Sequence, residues 1–170
     1  SVYCRLSNTD NLIETPDVKL RVFGTYEQPF SVDSLCNSRP KKVQFGSFVI
    51  PTSWYFPLVG TGSYSTTAFK ATLSDSPMTV FPLAGKLGIW DPDAEESIPS
   101  ITLPRWPSDT VGAEGSDGHA DIIDEETGII HSFWQLREVD DKWTAEQYTW
   151  SSLTGRGWGD TSHYFQGARA

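Results

Sequence analysis

Short apolar runs separated by turn residues recur along this chain. Apolar and polar positions alternate over residues 18–23, and residues 43–50 are rich in β-branched and aromatic side chains. Alternation with a period of two places one side of a strand in the protein interior and the other side in water. Similar patterns predict strands at residues 54–56, 68–73 and 83–90, with prolines marking turns between the runs.

Residues 91–116 depart from this pattern. The stretch opens with an acidic turn, and Pro99, Pro104 and Pro107 disfavour regular strand pairing. We therefore expect a long Pro-rich connection that runs over the surface of the domain. Trp106 lies between two of these prolines, and such a large apolar side chain predicts that the connection is held against the protein.

The clearest strand pattern lies in the C-terminal third. Residues 119–123 and 129–137 predict two strands, joined by a loop in which Gly128 suits a left-handed backbone conformation. A second turn is predicted at residues 139–142, followed by a third strand over residues 143–153. These three strands would form an antiparallel meander.

The length of the first loop decides which side chains share a face. A four-residue loop at 125–128 gives one face with six side chains: His119, Asp121, Ile123, Ile130, Ser132 and Trp134. A change of one residue in loop length would instead bring His131 and Phe133 to that face. His119 and Asp121 share a face in either register, because they are two positions apart on one strand.

Composition favours a folded, all-β domain. The 170 residues are enough for one domain with a substantial core. Aromatic residues make up 13% of the chain and charged residues only 21%, the opposite of the balance found in disordered chains. Because no long helical periodicity accompanies the scattered Gly and Pro, we predict an antiparallel β-sandwich or jelly-roll-like fold over residues 1–170.

Charge narrows the classes of partner. The formal net charge is −9, and no basic stripe follows the sequence, which disfavours nucleic acids and anionic membrane surfaces as partners. The one basic run, at residues 39–42, is short and typical of a solvated loop. No stretch approaches the roughly 20 apolar residues that a membrane-spanning helix needs, so membrane insertion is not expected.

His119 and Asp121 are the candidate catalytic pair. A carboxylate beside an imidazole raises the imidazole pKa and can orient the ring for proton transfer. Trp134 and Gln135, near the end of the next strand, are the candidate substrate-binding residues, because an aromatic ring can cover the C–H side of a sugar while polar groups hold its hydroxyls. The alternative is a structural His119 in a buried strand and an Asp121 that faces water.

A second group of candidate substrate-binding residues lies near the C-terminus. The glycine-rich loop at 155–159 carries Arg156 and Trp158, and His163 and Tyr164 follow it. Tryptophan and tyrosine are favoured at binding surfaces, and arginine pairs well with carboxylates such as those of uronic acids. The alternative is an aromatic cluster that seals one end of the core.

Cys4 and Cys36 are the only cysteines of the chain. They are candidates for one disulfide, which would suit an extracellular setting; the alternative is two buried free thiols. Neither has a second cysteine or a histidine at metal-ligand spacing, and the sequence predicts no metal and no cofactor.

The C-terminal part of the chain resembles uncharacterised β-rich proteins that are secreted by bacteria or associated with phages. The resemblance covers residues 104–168 and rests on segments that keep their order: Ser116-Asp117-Gly118-His119, Ile122-Ile123-Asp124, Thr127-Gly128, Phe133-Trp134-Gln135, Trp143-Thr144-Ala145 and the glycines from Gly155 to Gly159. In the similar proteins the chain continues beyond the glycine-rich loop, whereas here it stops at Ala170. We therefore also consider a fragment or a processed half, with a C-terminal continuation as a partner.

The resemblance implies an extracellular or virion-surface protein that handles polysaccharide. The leading hypothesis is a β domain that recognises a polysaccharide, with cleavage of the chain as a further activity to test. The rival hypothesis is a structural subunit of a virion, an extracellular filament or a surface layer, which would self-associate through its aromatic surface.

Overall fold

The structure, a computed structural model, describes residues 21–38, 47, 63–64 and 68–157. These residues form strands and no helix, which confirms the all-β class. The strands are β1 (Ala68–Ala71), β2 (Met78–Pro82), β3 (Ile89–Asp91), β4 (Glu96–Ile98), β5 (Ile101–Leu103), β6 (Ala120–Asp124), β7 (Ile129–Trp134), β8 (Arg137–Val139), β9 (Lys142–Ala145) and β10 (Gln147–Ser152).

The strands form two sheets. The six-stranded sheet has the order β1-β6-β7-β10-β3-β4, and the four-stranded sheet has the order β5-β2-β9-β8. Both sheets are mixed, whereas the sequence favoured antiparallel pairing. The parallel pairs are β1 with β6, β3 with β10, and β2 with β9, each joining strands far apart in the chain.

The β6–β7 hairpin has the register predicted from a four-residue loop. Asp124 lies opposite Ile129 and Asp121 lies opposite Ser132, with residues 125–128 as the loop. Gly128 has a φ of 68°, the left-handed conformation expected of it. The alternative register, with His131 and Phe133 on the face of Asp121, is excluded.

The predicted three-stranded meander is wrong in one respect. β6, β7 and β10 are neighbours in one sheet, but the β8–β9 hairpin between β7 and β10 belongs to the other sheet. The chain leaves the first sheet at Gln135, where φ is 55°, and returns to it around Glu146. The predicted turn at 139–142 is confirmed: Asp140 and Asp141 both have positive φ, as in a type I′ hairpin turn.

The predictions for the rest of the chain have mixed outcomes. The strand expected at 68–73 is confirmed as β1, whereas most of residues 83–90 form turns between β2 and β3. The connection at 91–116 begins with the predicted acidic turn but then contains β4 and β5, because backbone pairing resumes between its prolines. Most of the strands predicted before residue 60 fall outside the described residues; residues 21–23, which are described, are not in a strand.

Side chains from both sheets meet in one hydrophobic core. Phe69, Ile122 and Phe133 enter it from the six-stranded sheet, and Val80 and Trp143 from the four-stranded sheet. Trp106 of the long connection is buried there as predicted, with ring centroids 6.0 Å from Phe133 and 5.1 Å from Trp143. This core therefore covers one face of the six-stranded sheet, which we call the core face.

The opposite face of the six-stranded sheet is called the outer face. Strand alternation places Asp121, Ile123, Ile130, Ser132 and Trp134 on it. Residues 21–38 cover one half of this face, where Phe30 packs into a small cluster that includes Ile123, Ile130 and Leu153. The other half of the outer face holds a cavity.

Candidate functional site

The outer-face cavity has a volume of about 370 Å³, within the range of cavities that hold small molecules. Side chains from three adjacent strands and two loops line it. Those with polar groups are Asp117, His119, Asp121, Ser132, Gln147 and Thr149, and the larger apolar surfaces include Trp134 and Pro92.

Strand register explains why these side chains meet. Asp121 in β6 lies opposite Ser132 in β7, which lies opposite Thr149 in β10. In the next row of the same face, Trp134 lies opposite Gln147. Paired residues in adjacent strands point to the same side of a sheet, so the register brings polar groups from three strands to one cavity.

The loop before β6 supplies Asp117 and positions Trp134. The Trp134 indole Nε1–H donates to Asp117 Oδ1 at 3.4 Å, and the backbone amide of Gln135 donates to the Asp117 carbonyl at 2.7 Å. Gly118 has a φ of 51°, and a Cβ at this position would overlap the Arg137 guanidinium. The glycine of the Ser-Asp-Gly-His motif therefore suits both the positive φ and the close approach of the Arg137 side chain.

The acidic turn between β3 and β4 forms another wall of the site. Thr149 Oγ1 donates to Asp93 Oδ2 at 2.7 Å, while Asp91 Oδ1 accepts the backbone amides of Asp93 and Ala94. These bonds fix the turn that carries Pro92 against β10. The turn predicted from its acidic residues thus becomes part of a cavity wall.

Burial and charge limit what the cavity can accept. Asp121, Ser132 and Thr149 are buried, and among the described residues the Ser132 hydroxyl has no hydrogen-bond partner. The described residues of the lining include the carboxylates of Asp117 and Asp121 and no lysine or arginine. Such a cavity favours a neutral or cationic ligand with hydroxyl or amine groups, since a buried anion would meet like charges.

The structure brings together three of the predicted site residues. His119 and Asp121, the candidate catalytic pair, line the same cavity as Trp134. Gln135 lies in the break between β7 and β8 and is not part of the lining. Arg156 is exposed and forms an ion pair with Asp33 at 3.5 Å, beside the part of the outer face that residues 21–38 cover.

Other candidates lie where the structure gives no test. Trp158, His163 and Tyr164 fall outside the described residues, as does Cys4. Cys36 is exposed, and its pairing with Cys4 stays a prediction. Within the described ranges, no group of three or more His, Cys, Asp or Glu side chains is placed to hold a metal ion.

Sequence reasoning did not identify Gln147 and Thr149 as site residues. Both come from β10, which a sequence-based reading joins to β9 as one long strand. The predicted hairpin register places Ser132 on the same face as Asp121, but the sequence does not indicate a ligand-binding role for it. The sequence does not show the break at Glu146 between β9 and β10. Because of this break, Trp143 and Ala145 point into the core, whereas Gln147 and Thr149 point into the outer-face cavity.

The core face carries a different set of ionisable groups. Arg105 Nε and Nη2 lie 2.8–3.1 Å from both carboxylate oxygens of Asp124. Burial alone would raise the pKa of Asp124, but the hydrogen bonds from Arg105 and from the backbone amide of Thr127 outweigh it, and the pKa is lowered. Asp124 is therefore a charged anchor for Arg105 and for the hairpin loop.

His131 and Tyr148 form a second buried pair on the core face. His131 Nδ1 and the Tyr148 hydroxyl are 2.8 Å apart. Burial lowers the pKa of His131 to about 4 and raises the pKa of Tyr148 above its ordinary value. Both groups are therefore neutral near pH 7, which suits a structural role within the core.

Comparison with known proteins adds no assignment. No protein-family model matches the chain, and no curated protein or solved structure gives a significant match. The resemblance of residues 104–168 to secreted and phage-associated proteins therefore stays a prediction. The described residues include no helix long and apolar enough to cross a membrane.

Proposed function

We propose that the protein is a carbohydrate-binding β domain that takes a sugar unit of a polysaccharide into the outer-face cavity. The observation that carries this proposal is the joint placement of the Trp134 indole and a set of polar side chains around one cavity. An indole packs against the apolar C–H side of a sugar ring, while nearby polar groups exchange hydrogen bonds with its hydroxyls.

The buried polar groups supply selectivity. Asp121 and Thr149 offer carboxylate and hydroxyl oxygens, and the Ser132 hydroxyl can donate or accept a hydrogen bond. A site built to hydrogen-bond hydroxyl groups discriminates strongly against ligands that lack them, because its own polar groups are then left unpaired. A polyhydroxylated ligand fits this lining better than an apolar one.

The charge of the site favours neutral sugars over uronic acids. Arg156, the residue expected to pair with a sugar carboxylate, forms an ion pair with Asp33 and does not line the cavity. Asp117 and Asp121 would repel a bound carboxylate. The proposal includes an extracellular or virion-surface location, as the resemblance of residues 104–168 implies.

The rival, a structural subunit, depends on an aromatic surface for subunit contacts. Among the described residues, six aromatic side chains are buried: Phe30, Phe69, Trp106, Phe133, Trp143 and Tyr148. Tyr64, Phe81 and Trp90 are exposed. Phe81 and Trp90 belong to different sheets, whereas the Trp134 indole and several polar side chains line one cavity, so we favour the binding proposal.

A calorimetric titration against neutral and acidic polysaccharides tests the proposal. We expect the wild-type protein to bind at least one neutral glycan and Trp134→Ala to bind it at least about tenfold more weakly, since an aromatic contact of this kind is worth about 1.4 kcal/mol or more. Phe81→Ala is the matched control, because Phe81 is exposed in the other sheet and should leave binding unchanged.

Two further readouts separate the alternatives. Absence of glycan binding, together with regular assemblies seen by light scattering and electron microscopy, would replace the binding proposal by the structural one. Chain shortening by the wild-type protein that is lost in His119→Ala would add cleavage to binding and assign His119 a catalytic role.

A further inference from the structure

Trp90 in β3 is a second tryptophan on the outer face. It pairs with Gln147 of β10 in the parallel β3–β10 ladder, and Gln147 lies opposite Trp134 of β7. Paired residues point to the same side of a sheet, so both indoles lie on the outer face in one row. The neighbours of Trp90 in β3, Ile89 and Asp91, are buried on the other side.

The position of Trp90 relative to the cavity is set by strand spacing. Gln147 lines the cavity, and Trp90 lies one strand beyond it. Trp134 and Trp90 are separated by two strand steps, or roughly 10 Å across the sheet. One sugar ring packed on Trp134 does not span this separation, whereas a chain of linked sugars does.

The exposure of Trp90 is unusual for its place in the fold. Its side chain is 39% exposed, while Trp106 and Trp143 are buried in the core. The Trp90 backbone amide donates to the Glu146 carbonyl at 2.9 Å, and this bond holds the backbone of Trp90 beside β10. Ser97, opposite Trp90 in β4, is exposed and extends the row with a hydroxyl group.

We propose that Trp90 is a second sugar-binding platform, so that the ligand is an extended glycan chain that crosses the strands from the cavity towards β4. This inference rests on the proposed carbohydrate binding and adds that the domain reads several consecutive sugars. The chain runs along the row Trp134, Gln147, Trp90 and Ser97, with one unit in the cavity and a later unit on Trp90.

The test is a titration with neutral oligosaccharides of increasing length. Cello-, manno- and chito-oligosaccharides from the disaccharide to the hexasaccharide serve as probes. For the series that the wild-type protein binds, we expect affinity to rise by about tenfold or more once the chain reaches Trp90. Trp90→Ala should keep the affinity for the disaccharide and lose this gain, whereas Trp134→Ala should weaken binding at every length.

Two controls keep the result specific to Trp90. Trp90→Phe retains an aromatic face and should recover part of the gain with length. Phe81→Ala removes an aromatic side chain of similar exposure, 41% against 39%, from the other sheet and should change nothing. Thermal unfolding of each variant shows whether the fold is intact.

The outcomes distinguish this inference from the proposed function. If the wild-type protein binds no glycan, carbohydrate binding itself is wrong. If it binds the disaccharide and the hexasaccharide equally, or if Trp90→Ala keeps the gain with length, the extended-chain inference alone is overturned. A Trp90→Ala variant that changes the oligomeric state but not glycan binding would make Trp90 a self-association residue, which also overturns the inference.

Discussion

The two faces of the six-stranded sheet use polar residues in different ways. On the core face, Asp124 is bound by Arg105, and His131 Nδ1 lies within hydrogen-bond distance of the Tyr148 hydroxyl. On the outer face, polar side chains from adjacent strands line a cavity. Polar groups buried in the core stabilise the fold, whereas polar groups that face a cavity can also contact a ligand.

This difference arises between neighbouring residues of the same strands. Ile122 and Phe133 point into the core, while Asp121 and Ser132, one position away, point to the outer face. Substitutions on the core face should therefore reduce stability. Substitutions around the outer-face cavity should mainly affect binding.

Asp124→Ala should give the largest loss of stability. It breaks a bidentate ion pair in which Asp124 is 1% exposed and removes the acceptor for the loop amides of Glu126 and Thr127. Leaving Arg105 partly buried without its carboxylate should cost about 4–5 kcal/mol in unfolding free energy, measured by urea denaturation. Lys70→Ala, which breaks a more exposed ion pair with Glu125, should cost less than about 1 kcal/mol.

Phe133→Ala should have the next largest effect. Phe133 packs against Trp106 and Tyr148 in the core, and its truncation leaves a cavity that should cost about 3–4 kcal/mol. Trp134→Ala, on the next residue but on the outer face, should cost less than about 2 kcal/mol, because Trp134 is only partly buried. Equal losses for the two variants in urea denaturation would contradict the distinction between the faces.

His131 should make stability depend on pH. Its pKa is about 4 in the folded protein and 6.5 as a free side chain, so between these values the unfolded chain binds more protons. Stability should therefore be complete above pH 6.5 and fall by about 3 kcal/mol as the pH drops to 4. The Asp124 pKa is lowered from 3.8, so its contribution is lost at lower pH than this window.

His131→Asn tests this assignment, because the amide does not titrate. The variant should be less stable at neutral pH but should show a flatter dependence between pH 4 and 6.5 in urea denaturation. An unchanged slope would mean that another group titrates in this window.

Ser132→Ala should have the smallest effect on stability. Within the described residues its buried hydroxyl has no hydrogen-bond partner, so its removal should change the unfolding free energy by less than about 1 kcal/mol in either direction. Thr149→Val, which breaks the bond to Asp93, should destabilise the protein by about 1 kcal/mol. A larger loss for Ser132→Ala would assign that hydroxyl a structural role.

Local sequence signals predicted the β6–β7 hairpin well. Turn residues and alternation defined the loop at 125–128, and the loop fixed which face carries His119, Asp121 and Trp134. These residues are close in sequence, so their relative positions depend on local geometry alone.

Long-range pairing was beyond the sequence-based reading. Nothing local indicates that β10 pairs with β7 across an inserted hairpin, or that β3 lies beside β10. Local sequence patterns therefore do not predict Gln147, Thr149 and Trp90 as site residues. The purely antiparallel expectation missed the parallel ladders for the same reason, since a parallel pair joins segments separated by a long connection.

The three parallel ladders have a consequence for the order of folding. They join Ala68 to Asp121, Val80 to Trp143, and Trp90 to Gln147, so each closes a long loop before it gains any contact energy. The β6–β7 and β8–β9 hairpins close short loops and should form first, with the parallel ladders limiting the rate. Pulse-labelled hydrogen exchange during refolding should show early protection in β6 and β7 and late protection in β3. The part of the cavity formed by Asp121 and Ser132 would then fold before β3 places Trp90 beside it.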